Sequence, residues 1–228
     1  MATENIYEDL RNRLISNEFQ PGQRLSPETL RHHYQVSANT IRELLFRLST
    51  VGLVNFLEQR GFRMPQQSAE LQHDLTQTRI MLECEGSCLS IRHGGVAWEA
   101  RLSAAHHELK HIETRIHSNT KNAATTQVPM EFLALWADAE LKFHRTLIEE
   151  CRSPLLQEFH MQIYHRFRQQ MIIYDKDYTY IALNVNQHQD ILEAVLQRDE
   201  DLVRQRIVTH LSRHLSHPLP EKVARLGS

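Results

Sequence analysis

Apolar residues at Ile41, Leu44, Leu45 and Leu48 recur at helical spacing, while Asn39, Arg42, Glu43 and Phe46 fall away from that stripe. The pattern predicts a two-faced helix from Ala38 to Thr50. Ser37 stands just before it, a residue type whose side-chain oxygen accepts a first-turn N–H. A shorter helix is predicted from Glu28 to Tyr34, with Gln35-Val36-Ser37 as the turn between the two; this is helix-turn-helix spacing. After Gly52 the period changes to two. Val54-Asn55-Phe56 and Phe62-Arg63-Met64 flank Glu58-Gln59-Arg60-Gly61, which predicts a two-stranded wing with Arg60 at its tip.

Met64-Pro65-Gln66-Gln67-Ser68-Ala69 is polar and holds a helix-breaking Pro, so a domain boundary is expected there. Beyond it the chain shows helical periods only, broken at His93-Gly94-Gly95, Asn119 to Pro129, Arg152-Ser153-Pro154 and Asp175 to Tyr178. The reading is a mainly α protein. A winged helix-turn-helix occupies residues 1–66, and an all-helical bundle of about six helices occupies residues 70–220.

Several polar residues violate the pattern of that second half. On the helix predicted from Met130 to Cys151, the apolar stripe is Leu133, Trp136, Ala137, Leu147 and Ile148, and Glu140 and His144 fall in its middle. His188 shares a stripe with Ile191, Leu192 and Val195; His210 and His214 share one with Val203, Ile207 and Leu211. Burying a carboxylate and several imidazoles unpaired is costly. Either they bond to one another and to buried water, or a divalent metal satisfies them together. The string His107-Glu108-Leu109-Lys110-His111 matches the H-E-x-x-H pattern of zinc proteases. Both its histidines lie about 150° from the centre of the stripe formed by Leu102, Leu109, Ile112 and Ile116, so they are expected to face water.

Composition narrows the picture further. The chain has 228 residues, enough for a small head plus one domain of ordinary size. Its net charge is −2, and residues 1–66 hold eight Arg, no Lys and seven acidic residues, a weak basic footprint for a nucleic-acid binder. Three cysteines, Cys84, Cys88 and Cys151, lack C-x-x-C spacing, which fits a reducing cytoplasm rather than a disulfide framework. The first residues lack the runs of a secretion signal, and no apolar run approaches bilayer length.

The outward face of the second helix can enter a groove of double-stranded DNA. Arg42 can fork to guanine, Asn39 to adenine, and Thr40 can bond a base edge or touch a thymine methyl. Ser37 starts that helix, and Arg60 and Gly61 at the wing tip lie where phosphate or minor groove would be met. Residues 6–65 resemble the winged-helix head of the GntR family of bacterial transcription regulators. The resemblance is carried by Ile15, Pro21-Gly22-Gln23-Arg24-Leu25, Leu30, Val36-Ser37, Thr40-Ile41-Arg42-Glu43, Leu48, Gly52-Leu53-Val54 and Arg60-Gly61-Phe62. Ala38 stands where that family commonly has a DNA-contacting Arg, Asn39 where Thr is usual, Thr40 where Pro or Thr is common, and Gln35 where the turn usually has Gly.

Residues 70–217 resemble the FCD type of effector domain found in the FadR-like branch of that family. An acidic residue four before a Phe-His pair matches Glu140 and Phe143-His144, and two later histidines match His188 and His210. The resemblance implies four metal ligands, Glu140, His144, His188 and His210, with Glu140 in place of the commoner Asp and His214 as a spare; the metal would be of the Zn, Ni or Mn class. It also implies that Arg79 pairs with an effector carboxylate, the alternative being a surface salt bridge with Glu83. Together these imply a homodimeric transcription regulator, a repressor, that binds a double-stranded operator and responds to a small carboxylate. It is not read as an enzyme. The alternatives are a metal-dependent hydrolase using the His/Glu cluster and a helical interaction module whose head binds protein.

Overall fold

The computed structural model describes residues 3–16, 18–122, 130–171 and 179–215. The described residues divide into two compact units: those within Met1–Leu75 and Gln162–Tyr174, and those within Thr76–Met161 and Asp175–Ser228.

The first unit contains helix α1 (Thr3–Ile15), strand β1 (Arg24–Leu25), helices α2 (Pro27–Tyr34) and α3 (Ala38–Thr50), and strands β2 (Asn55–Leu57) and β3 (Gly61–Arg63). Ser26 caps α2, its hydroxyl accepting the Thr29 N–H, with Pro27 in the first turn where no N–H is required. Ser37 caps α3 in the same way through the Thr40 N–H at 3.1 Å. Between them Gln35 ends α2 in the left-handed region at φ 55°, the conformation for which glycine is the least strained residue. Strands β2 and β3 form the expected hairpin wing, and β1, not expected, adds a third strand by pairing with β3, giving the order β1-β3-β2 with every pair antiparallel. A two-residue strand is too short to show alternation in sequence. One apolar core, including Ile6, Leu10 and Leu14 of α1 and Ile41, Leu44, Leu45 and Leu48 of α3, holds the reading helix against the sheet residues Leu25 and Phe62.

The helices of the second half are α4 (Ala69–His93), α5 (Val96–Asn122), α6 (Met130–Leu147), α7 (Pro154–Met171), α8 (Thr179–Leu196) and α9 (Glu200–Ser212), and the second unit is built from them. No persistent strand pattern occurs here, and none forms among the described residues. Within the unit α5 packs on α6 and α8, and α8 on α9. Trp98, Leu102, Trp136, Phe143, Ile191 and Ile207 are among the residues of the shared core. At Gly86 on α4 an added Cβ would come within 2.8 Å of Ile148 and 3.0 Å of Leu156, so only glycine lets these segments approach so closely. Three boundaries differ from expectation. Helix α6 ends at Leu147 rather than Cys151, because residues 148–150 turn; α9 ends at Ser212, leaving His214 beyond it; and α5 runs to Asn122, into a stretch read as a break. The breaks expected within 123–129 and 175–178 lie outside the described residues. Cys84, Cys88 and Cys151 are free and buried, and burial pushes the Cys84 thiol up to about 12 and that of Cys88 to about 11. No described helix is long and apolar enough to cross a membrane.

Candidate functional site

In the first unit, Asn39 and Arg42 are exposed on the first turns of α3, on the side opposite Ile41 and Leu45. The hydroxyls of Ser37 and Thr40 lie 2.8 Å apart, so the residue that caps the helix also holds the Thr40 side chain. Arg60 is exposed at the wing, where its N–H donates to Leu57 O at 3.0 Å and Gly61 takes φ 71°. The sequence-derived candidates therefore sit at two places, the start of α3 and the tip of β2–β3. Beyond them Phe46 is 53 % and Phe56 49 % exposed, with ring centroids 6.0 Å apart.

In the second unit, Glu140, His144, His188 and His210 each offer one ligand atom, and these atoms lie within 4.8 Å of one another, all four residues buried. One helical turn on α6 separates Glu140 from His144, so both point to the same side. His188 comes from α8 and His210 from α9, whose start is fixed by Asp199 accepting the Leu202 N–H. The three imidazoles crowd together, with ring centroids 5.4 Å apart for His144–His188 and His144–His210 and 4.5 Å for His188–His210. His214, the spare, is only partly buried and is not in the group; its Nε2 accepts from Arg213.

Around the four lies a layer that helical phase alone had not singled out. Glu83, fully buried on α4, accepts from Arg79 Nε at 2.6 Å, from His144 Nδ1 at 2.9 Å and from His160 Nε2 at 3.0 Å. The Arg79–Glu83 pair, the alternative to an effector role, does form but is buried rather than at the surface, with Arg79 1 % exposed, and Arg79 Nη2 also lies 3.5 Å from Glu140 Oε1. Glu113 on α5 accepts from Trp136 Nε1 at 3.2 Å and stands 3.4 Å from His188 Nδ1. Signals existed: Glu113 falls four after Leu109 and three before Ile116, and His160 four before Tyr164, all buried.

Electrostatics follow the geometry. Burial alone would raise the Glu83 carboxyl, but Arg79, His144 and His160 outweigh it and hold it well below the usual range. Burial lowers His144, yet the carboxylates of Glu83 and Glu140 prevail and raise it. Burial lowers His188, and it depresses His210 strongly with help from the neighbouring His188 and His144. By contrast His107 and His111 of the H-E-x-x-H string are exposed, and Glu108 between them pairs with Lys142 at 2.6 Å. That string builds no inward-facing site.

Comparison with known proteins agrees with this architecture. The model of the family "Bacterial regulatory proteins, gntR family" matches residues 2–64, and that of the FCD domain matches residues 74–213. An uncharacterised HTH-type transcriptional regulator, BphR of Paraburkholderia xenovorans, is 30% identical over 217 residues, covering 93% of this chain and 83% of its own. The HTH-type transcriptional repressor GlaR of Escherichia coli is 26% identical, covering 89% and 91%. The fold is shared with the solved structure of Escherichia coli McbR/YncC, at TM-score 0.74 and 17% identity over 98% of this chain and 96% of the other. These domains and relatives are those of regulators rather than enzymes, and nothing in them supports a hydrolase. With a capped reading helix and wing ahead of a helical bundle, the chain belongs to the GntR family of bacterial regulatory proteins, in the group that carries an FCD domain, and is a DNA-binding transcriptional regulator.

Proposed function

We propose that this regulator is a cytoplasmic, homodimeric repressor whose hold on a two-half-site operator is set by a small carboxylate bound at a metal in the helical domain. A dimer's two-fold symmetry calls for two half-sites. Repression is the activity named for GlaR and for the NanR proteins of Salmonella, the latter 24–25% identical to this chain. The domains are taken as residues 1–66 and 70–220. Asn39, Thr40 and Arg42 read base edges, Ser37 orients the helix start, and Arg60 and Gly61 approach the backbone beside the wing.

The observation that carries the sensing half of the reading is the convergence of four buried ligand-type atoms within 4.8 Å. The donor set suits a divalent ion such as Zn(II), Ni(II) or Mn(II). His144 donates through Nδ1 to Glu83 and turns Nε2 toward Glu140 Oε1 at 3.4 Å. In a neutral imidazole that places two electron-rich atoms face to face, an arrangement that calls for a proton or a cation between them. His188 Nε2 is buried with no hydrogen-bond partner among the described residues. Among the described residues of the unit, Glu83, Glu113 and Glu140 are buried carboxyl groups and Arg79 is a buried guanidinium, a setting rich in oxygen acceptors that a divalent ion would suit. A bound metal would supply a Lewis-acidic position for an oxygen of the effector.

Arg79 would bind the effector carboxylate, which would share the guanidinium with Glu83 and Glu140. For regulation, the effector must bind one dimer arrangement better than the other. The test is selection of bound sequences from random duplex DNA, repeated with a panel of small carboxylates and with the metal chelated. A palindromic motif whose recovery drops with one acid, and with Arg42→Ala, supports the reading. Equal retention of all duplexes at moderate salt refutes the operator reading.

A further inference from the structure

Two imidazoles of the cluster bond an oxygen through Nδ1, and the third has a carboxylate close by. For His144 the oxygen is Glu83 Oε2 at 2.9 Å and for His210 it is Gln187 Oε1 at 3.1 Å; His188 Nδ1 makes no hydrogen bond among the described residues, and Glu113 Oε1 stands 3.4 Å from it. The chemical identity of the Gln187 atom is fixed by a third group. Arg213 Nη1 lies 3.3 Å from it, and a guanidinium only donates. The atom is therefore oxygen, and His210 Nδ1 must carry the proton. A carboxylate likewise only accepts, so His144 donates to Glu83. Glu113 has room for the same task, because its Oε2 has no hydrogen-bond partner among the described residues.

We infer that Glu83, Glu113 and Gln187 are positioning residues that hold His144, His188 and His210 as Nδ1–H tautomers and commit all three Nε2 lone pairs to the space beside Glu140. The inference deepens the metal reading above. The outer acceptors come from α4, α5 and α8 and the inner donors from α6, α8 and α9, so five helices converge on one small volume. Acceptors of this kind orient a ligating imidazole and raise its basicity, and losing one typically weakens metal binding about 10–100-fold. They also set which atom binds: with Nδ1 engaged, an entering ion meets Nε2 on every ring.

Two measurements on the full-length protein test this. In metal-free wild-type protein at pH 8, two-bond hydrogen–nitrogen correlation spectra are expected to show His188 and His210 with protonated Nδ1 and bare Nε2. An Nε2–H tautomer at either ring overturns the inference, and this readout needs no variant to fold. In the second, Zn(II) affinity is measured by competition with a chromophoric chelator. Gln187→Leu is expected to weaken it about 10–100-fold, and Gln187→Glu, which keeps an acceptor oxygen, to restore it. Gln187→Leu protein that folds and binds Zn(II) like wild type overturns the inference. If wild type takes up no Zn(II), Ni(II) or Mn(II), the metal reading is what fails, and the tautomer spectra still decide for or against the outer acceptors.

Discussion

Replacing Arg79 by methionine removes the guanidinium that stands 2.6 Å from Glu83 while keeping a long side chain. At that separation and an effective dielectric near 20, two unit charges attract by about 6 kcal/mol. Desolvation of both groups offsets part of this, and breaking a buried pair by removing one partner costs about 3–5 kcal/mol. For a chain of this length that is a fall of roughly 6–20 °C in Tm. Both tryptophans, Trp98 and Trp136, are buried in the second unit, so urea unfolding followed by fluorescence reads that unit specifically. The loss should also depend on pH. Arg79 suppresses protonation of His144 and His160, which both bond Glu83. His144 is raised already by its carboxylates; without Arg79 its protonation, and that of His160, which burial lowers, both become easier and place a cation beside Glu83, so the loss should shrink between pH 8 and pH 6. Arg79→Met/Glu83→Leu should be more stable than Arg79→Met alone, since the stranded charge is gone. A loss below about 1 kcal/mol at pH 8, the scale of an exposed pair, or one unchanged at pH 6, would refute the reasoning.

Other outcomes follow from single features. Gln35→Gly should stabilise the head by about 1 kcal/mol by relieving a left-handed residue, whereas Arg198→Gly, at the same φ of 55°, should destabilise because Arg198 donates to Gly94 O at 2.9 Å and to Ile91 O; thermal unfolding by circular dichroism separates the signs. Metal-free protein should lose stability as pH falls below about 6.5, because His106, lowered to about 4 chiefly by burial, and His188 and His210, also lowered, stay neutral when folded but protonate when unfolded. The slope approaches about 1.4 kcal/mol per pH unit for each such ring; His144, raised, acts oppositely, its contribution present at low pH and lost as pH rises through its folded value. Urea midpoints in chelator at pH 7.5 and 5.5 check this, and a midpoint that rises on acidification would contradict it. Zn(II) at 100 times its Kd should stabilise the protein by about 2.7 kcal/mol, read as a Tm shift reversed by chelator; no shift counts against the cluster as a metal site.

What was legible in the chain was whatever depends on neighbours in sequence. The Ser37 cap, the α3 stripe and the Glu140–His144 spacing are set by a helix's 3.6-residue period, so the sequence alone bounds α3 at Ala38 and Thr50. Strand β1 was not legible, since two residues carry no period and gain their partner only when β3 folds back on them. Helix phase alone marks Glu140, His144, His188 and His210 as inward-facing, but it leaves them on three helices with no statement of distance. Only the packing of α6, α8 and α9 decides that they meet, and only the packing of α4 and α5 supplies Glu83 and Glu113 behind them. The fate of Arg79 shows the physical reason most plainly. Its four-residue spacing from Glu83 dictates that the two can pair, but whether the pair faces water or the interior depends on helices more than fifty residues away, and with that choice the interaction changes from a weak surface contact to a buried charge that the fold must balance.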